Sequence, residues 1–298
     1  MRKLLVKLGL IIIVLIPSML SLHACSRDSG APTKPQDPAP VENKDILEFS
    51  GMRWTIKKST HPVGPGGNYF SGEKEDLWVD SQDRLHMKIS RKKDYWACTE
   101  IYTEKPVGYG TYVFYLSSKV DSLDPNAVLG LFTWNNSSSQ TDANSEIDIE
   151  VSRWAVPNSK ILNYSVQPVF GPDTPSGKYS ERGYQKHMQQ NSDFSVHTFT
   201  WTDSLINFAS YNGKEIKAGN QQIAAWTFYK ANPARRTQFD GTLSDAIIIP
   251  NPRTQTTLNI NLWLVGKNGY GMPPYNNKDI EVIIDKVEYI PAAHPYGQ

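Results

Sequence analysis

Glu146, Asp148 and Glu150 alternate with Ile147, Ile149 and Val151 in one uninterrupted run. A β-strand places residues i, i+2 and i+4 on the same face, so the three acids share one side and the three aliphatics the other. Like charges at that range resist joint ionisation, and one carboxyl of such a set tends to keep its proton. A protonated carboxyl beside an ionised one is what general acid and nucleophilic work at a glycosidic bond requires. The same alternation also makes an ordinary amphipathic strand with a wet face, so the surroundings of the run have to decide.

The elements that would position the acids are strands. Leu85–Ile89, Gly110–Leu116, His197–Trp201 and Leu258–Leu264 alternate, and residues 281–287 do so in part. Turn residues separate them at Gly64-Pro65-Gly66-Gly67, Pro106-Val107-Gly108, Asn212-Gly213 and Pro273-Pro274. Asn212-Gly213 directly after Phe208–Tyr211 is a hairpin signal. Many short strands, no internal repeat and little helical periodicity predict an all-β fold, a sandwich or jelly roll of two antiparallel sheets. Residues 221–240 are expected to form a short helix or a long loop, and residues 135–145 a polar loop leading into the acidic strand.

The same face argument extends to neighbouring strands. Leu258, Ile260, Leu262 and Leu264 form one face, which leaves Asn259, Asn261 and Trp263 on the other. A solvent-facing Trp263 flanked by amides suits a sugar-binding groove, unless a loop covers it. Glu100 shares its face with Trp96, Cys98 and Tyr102, as a hydroxyl-binding group or a strand-edge charge. If the acidic strand runs on straight, Ser152 and Trp154 join the acid face. There Trp154 would stack on a sugar or cap the core at a turn.

The first residues read as a leader. Arg2, Lys3 and Lys7 precede a short apolar run, Leu8–Leu15, too short and wrongly flanked for a spanning helix. It ends at Leu22-His23-Ala24-Cys25, which resembles a bacterial lipoprotein cleavage box, with His23 an unusual middle residue. This predicts a signal peptide over 1–24, lipidation at Cys25 and anchorage in the cell envelope, outer membrane or cell surface; plain secretion is the alternative. Pro32, Pro35, Pro38 and Pro40 then mark an extended tether over 25–45, and the folded domain is expected over 46–298. The net charge of +1 gives no reason to expect nucleic acid as a partner. Cys98 is the only cysteine after Cys25, which excludes an intramolecular disulfide in the mature fold and predicts a buried thiol. No His/Cys cluster suggests zinc or haem.

Taken in order, several pieces resemble glycoside hydrolase family 16, the lichenase and laminarinase superfamily. They are Trp54 and Asn68-Tyr69-Phe70; Tyr95–Ile101 and Gly108–Tyr112; Gly130-Leu131-Phe132 and Glu146–Glu150; His197–Trp201; Asn261-Leu262-Trp263; and Asp285–Tyr289. The resemblance covers nearly all of residues 50–290 and implies a β-jelly roll with a cleft across its concave sheet. By position it implies that Glu146 is the nucleophile, Glu150 the acid/base, and Asp148 the residue that tunes the pair. It implies retention through a covalent glycosyl-enzyme, whose carboxyls stand about 5–5.5 Å apart. On a flat strand residues i and i+4 are about 13 Å apart, so the strand has to curve. Asn68, Glu100, Trp154, Asn261 and Trp263 are the candidate substrate-binding residues.

The uninterrupted acid spacing resembles the lichenase-like branch, but Asn144 stands where lichenases carry Trp, and Cys98 lacks the partner that they supply. Asp285 resembles part of a structural calcium site of many relatives; no cofactor is expected for catalysis. The implied activity is an endo-β-glycanase acting on a polysaccharide, a β-1,3- or β-1,3-1,4-glucan, from a monomer. A non-catalytic glycan-binding lipoprotein and a transglycosylase are the alternatives.

Overall fold

The computed structural model describes residues 45–135, 145–169, 182–216, 221–229 and 249–294. The leader, Cys25, the tether up to residue 44, Asn144 and most of the loop before the acids lie outside the described residues.

In chain order the strands are β1 (Ile46–Phe49), β2 (Met52–Ile56), β3 (Tyr69–Phe70), β4 (Leu77–Val79), β5 (Leu85–Arg91) and β6 (Trp96–Thr103). There follow β7 (Gly110–Leu116), β8 (Ala127–Trp134), β9 (Ile147–Ser152), β10 (Leu162–Val166), β11 (Gly183–Lys186) and β12 (Ser195–Trp201). The last are β13 (Ile206–Asn212), β14 (Gln222–Phe228), β15 (Thr257–Leu264), β16 (Gly266–Lys267), β17 (Tyr270–Gly271) and β18 (Ile280–Pro291). A 3-10 turn spans Val120–Ser122, and no α-helix occurs among the described residues.

Two antiparallel layers result. The first runs β11-β10-β9-β8-β15-β6-β2-β1, and the second β4-β5-β18-β7-β12-β13-β14; β5 and β6 touch at one end and join them. The fold is the jelly roll that the strand pattern predicts. In β9 Ile147, Ile149 and Val151 are wholly buried, as are Leu258, Ile260, Leu262 and Leu264 of β15. These residues pack towards the second layer, whose inner face is aromatic. Tyr112 stacks on Phe199 with ring centroids 4.5 Å apart, and Phe208 stacks on Tyr164 of β10 at 5.0 Å. The Tyr164 contact carries the packing from one sheet to the other, directly behind the strand that bears the acids. Face-to-face aromatic packing of this kind supplies both buried area and fixed geometry.

Two expectations change. Residues 222–228 form β14, neither helix nor loop. Ala224, Trp226 and Phe228 alternate inward, with Phe228 2% exposed and Trp226 stacked 5.5 Å from Phe208; the small Ala224-Ala225 pair hides this period in the sequence. Residues 230–240 lie outside the described residues. Asn212-Gly213 does close β13, with Gly213 at φ 87°, but β14 starts only at Gln222, so the connection is not a two-residue turn.

Candidate active site

The registry of the first sheet lays its outward side chains out in rows. Glu150 of β9 lies opposite Gly130 of β8, which lies opposite Asn261 of β15, which lies opposite Glu100 of β6. The next row is Ser165, Asp148, Phe132, Asn259 and Tyr102. Glu150, Asn261, Glu100, Asp148, Phe132, Asn259 and Tyr102 of these rows line one cleft of about 970 Å³, together with Glu146, Trp134, Gln167, Lys57 and Trp263. From β9 to β2 it crosses four strand spacings, about 19 Å, which is long enough for several sugar rings. Among the described residues, five carboxylates line the cleft against one cation, Lys57.

Glu146 stands one residue ahead of β9, after Ser145, whose φ of 52° takes the chain out of the extended form. That break is anchored. The Ser145 hydroxyl donates to Asn251 O (2.7 Å), Thr133 Oγ1 donates to Ser145 O (2.7 Å), and Ile147 N donates to Thr133 Oγ1 (3.2 Å). These bonds fix the chain at the point where it enters the acidic strand.

Asp148 is 4% exposed; its Oδ2 accepts from Ser165 Oγ (2.9 Å) and Gln167 Nε2 (3.2 Å). Burial pushes its carboxyl up to about 7, and the two donors offset part of the rise. Burial, and then the neighbouring Asp148, raise the Glu150 carboxyl well above the ordinary range. No donor among the described residues bonds the Glu150 carboxyl. Glu150 is thus held against ionisation by its neighbour as well as by burial, the direction a general acid needs.

Of the other candidate residues, Glu100 and Asn261 meet in the cleft. Glu100 Oε2 accepts from Lys57 Nζ at 2.8 Å and from Asn261 Nδ2 at 3.4 Å. Burial raises the Glu100 carboxyl, and Lys57 offsets part of that rise. Asn261 Oδ1 is buried with no hydrogen-bond partner, and a Cβ on Gly130 would lie 2.4 Å from it. The glycine keeps a notch open between this acceptor and Glu150.

Three expectations are corrected. Asn68 does not reach the cleft: its Nδ2 donates to Pro65 O (2.9 Å) and Leu264 O (2.8 Å), and its Oδ1 accepts from the buried Cys98 thiol at 3.3 Å. It ties the Gly64–Gly67 turn down, because backbone carbonyls take both of its amide protons. That turn in turn covers Trp263, which lines the cleft but is only 9% exposed, not solvent-facing. Gly66, at φ 68°, passes so close that a Cβ would meet Leu264 O at 2.5 Å and the Trp263 ring at 2.8 Å. Trp154 is not among the residues that line the cleft. β9 ends at Ser152, Trp154 and Ala155 both have left-handed φ, and the Trp154 ring meets Trp263 edge-on at 6.0 Å.

Asp285 lies at a bulge of β18, with Oδ1 buried and unpartnered. Such an oxygen suits a cation, but no group of three His, Cys, Asp or Glu side chains stands together among the described residues. The calcium expectation therefore rests on this one oxygen and whatever backbone carbonyls join it. Ser145, Ser165, Gln167 and Lys57 went unnoticed in the sequence, since they act through strand registry and loop placement.

Compared by sequence, the chain matches no family model and no curated protein. Solved structures do match. A GH16 protein of the Bacteroides ovatus mixed-linkage glucan locus, in complex with a G4G4G3G product, superposes with a TM-score of 0.53 at 14% identity, over 84% of this chain and 98% of that one. A laminarinase from Flavobacterium sp. UMI-01 gives 0.51 at 13% identity, over 80% and 92%. An immunostimulatory antigen and pseudo beta-1,3-glucanase of Mycobacterium tuberculosis gives 0.53 at 14% identity, over 80% and 91%. The chain shares the jelly-roll fold of these proteins. At such identities the likeness establishes the fold, and the chemistry has to be argued from the cleft.

Proposed function

We propose that the chain is a retaining endo-β-glycanase, most consistent with a β-1,3- or β-1,3-1,4-glucan as substrate. The observation that carries this is the placement of Glu146, Asp148 and Glu150 along one wall of a long cleft, with burial and the neighbouring Asp148 both raising the Glu150 carboxyl. Glu146 attacks the anomeric carbon while Glu150 protonates the leaving oxygen. Glycosyl-enzyme formation removes the charge of Glu146, and Glu150 then takes a proton from the incoming water. Asp148, held by Ser165 and Gln167, keeps the Glu150 proton in place before the first step. The excess of carboxylates favours a neutral glycan over a sulfated or uronic one. The calcium expectation at Asp285 concerns stability alone and takes no part in these steps. The proposed setting is the bacterial cell envelope, through acylated Cys25 in the Leu22–Cys25 box.

A second reading, glycan binding without turnover, is supported by the pseudo-glucanase among proteins of this fold. One experiment separates the two. The protein from residue 46 onward is incubated with β-glucans, galactans and xyloglucan beside Glu146→Gln, and new reducing ends and product sizes are followed. Oligosaccharides from one polymer, absent with the variant, establish the hydrolase; transfer products longer than the starting fragments mark a transglycosylase. Binding by both proteins without any product establishes the binder.

A further inference from the structure

Arg182, ahead of β11, is only 1% exposed. A buried guanidinium is costly unless its N–H groups find acceptors. Its Nε donates to Val166 O at 3.1 Å and its Nη2 to Gln167 O at 2.9 Å. Val166 N donates back to Arg182 O at 3.0 Å, and the guanidinium lies 4.9 Å from the Phe228 ring centroid. A planar fork thus holds two successive carbonyls at the point where β10 ends. An apolar side chain would fill the space over Phe228 equally well; only a fork meets both carbonyls.

Gln167 is the residue that touches the acids twice. Its N donates to Glu146 O at 3.1 Å and its Nε2 to Asp148 Oδ2 at 3.2 Å, while its Oε1 accepts from Val169 N at 3.1 Å. A rotation of the Gln167 peptide would therefore move Glu146 and release Asp148 together. Asp148 is faced by Glu146 and Glu150 along its own strand, by Phe132 from β8, and by Ser165 from β10 with Gln167 beyond it. No cation stands among these described neighbours, so the two neutral donors are what offsets the rise that burial causes.

We infer that Arg182 is a positioning residue for the acid cluster, acting through Gln167: it fixes the Gln167 backbone so that its amide and side chain hold Glu146 and Asp148 in reacting register. The inference rests on the glycanase reading for its consequence in catalysis, but not for its consequence in the ionisation of Asp148. Burial pushes the guanidinium down to about 10, which leaves it charged at neutral pH and able to hold both carbonyls.

The test uses Arg182→Met, Arg182→Lys, Gln167→Leu and Arg182→Met/Gln167→Leu in the full chain, with two readouts. The first is the titration of the Asp148 carboxyl, followed by carbon NMR and assigned with Asp148→Asn. Gln167→Leu should raise its midpoint by about half a pH unit or more, through loss of one hydrogen bond. Arg182→Met should reproduce that rise, and the double variant should add nothing to it. Arg182→Lys keeps the charge but cannot fork, so it should fall between the wild type and Arg182→Met; it also serves if Arg182→Met does not fold. The second readout is hydrolysis, where kcat should fall by about 10- to 100-fold in each single variant and no further in the double, with KM little changed.

An unshifted Asp148 in folded Arg182→Met, or in Arg182→Lys should the former not fold, overturns the inference whether or not any glycan is cleaved. Losses of kcat that multiply in the double variant overturn it as well. A titration that behaves as expected in a protein that cleaves nothing overturns the glycanase reading and leaves the positioning role standing.

Discussion

The cleft and the seam between the sheets both bury titratable groups, and they treat them in opposite ways. In the seam His197 is wholly buried, with Nδ1 2.7 Å from Ser210 Oγ and Nε2 3.0 Å from Ser195 Oγ; Ser210 also meets the Tyr164 hydroxyl at 2.7 Å. Every polar atom of the ring has a neutral partner, and burial pushes the imidazole down to about 4. That group is held in one state. In the cleft Asp148 and Glu150 are crowded along a single strand, and burial pushes both carboxyls up. Those groups are held between two states. A satisfied buried network locks a structure, whereas an opposed buried pair stores a proton that a reaction can use.

The sharpest way to break this comparison is Glu150→Gln. It removes the proton donor without altering shape, and should lower turnover by about 10²- to 10⁴-fold while leaving glycan binding intact, as read by steady-state kinetics and calorimetry. Loss of binding instead would make Glu150 a mere contact. Next comes acid stability. The folded chain refuses the His197 proton until about pH 4, whereas an unfolded histidine takes it near 6.5. The stabilisation is therefore complete above about pH 6.5 and falls by about 3 kcal/mol as pH drops to 4. Denaturant melts from pH 7 to 4 should show that slope, and His197→Gln should flatten it.

The third effect has the opposite sign. The Asp148 carboxyl is raised in the folded chain, so its penalty is small at pH 4, grows between about pH 4 and 7, and is constant above that. Asp148→Asn should leave stability at pH 4 nearly unchanged and raise it at pH 8 by a few kcal/mol, because Ser165 and Gln167 can still donate to the amide oxygen. A variant no more stable at pH 8 than the wild type would show that the cleft is not strained by its acids.

The division between readable and hidden features follows the same physics. The acid face of β9 and the amide face of β15 were legible because a strand alternates with period two, and burial of Ile147, Ile149 and Leu258–Leu264 enforces it. Asn68, Trp154 and Trp263 were misplaced because alternation says which side a residue takes, not what folds over that side. The Gly64–Gly67 turn covers Trp263, and a left-handed pair at Trp154-Ala155 ends the straight run. Ser165, Gln167 and Arg182 were hidden because they reach the acids across strands, and registry between strands is written in no single segment. β14 was hidden because two alanines blur its period.

The central claim is retention by attack of Glu146 with proton transfer from Glu150. Proton NMR of the first products released from the preferred β-glucan reads it directly, since the fresh reducing end reports its configuration before mutarotation. The account predicts the β anomer first, drifting to the equilibrium mixture. First appearance of the α anomer would mean direct attack by water, and would contradict a nucleophilic Glu146.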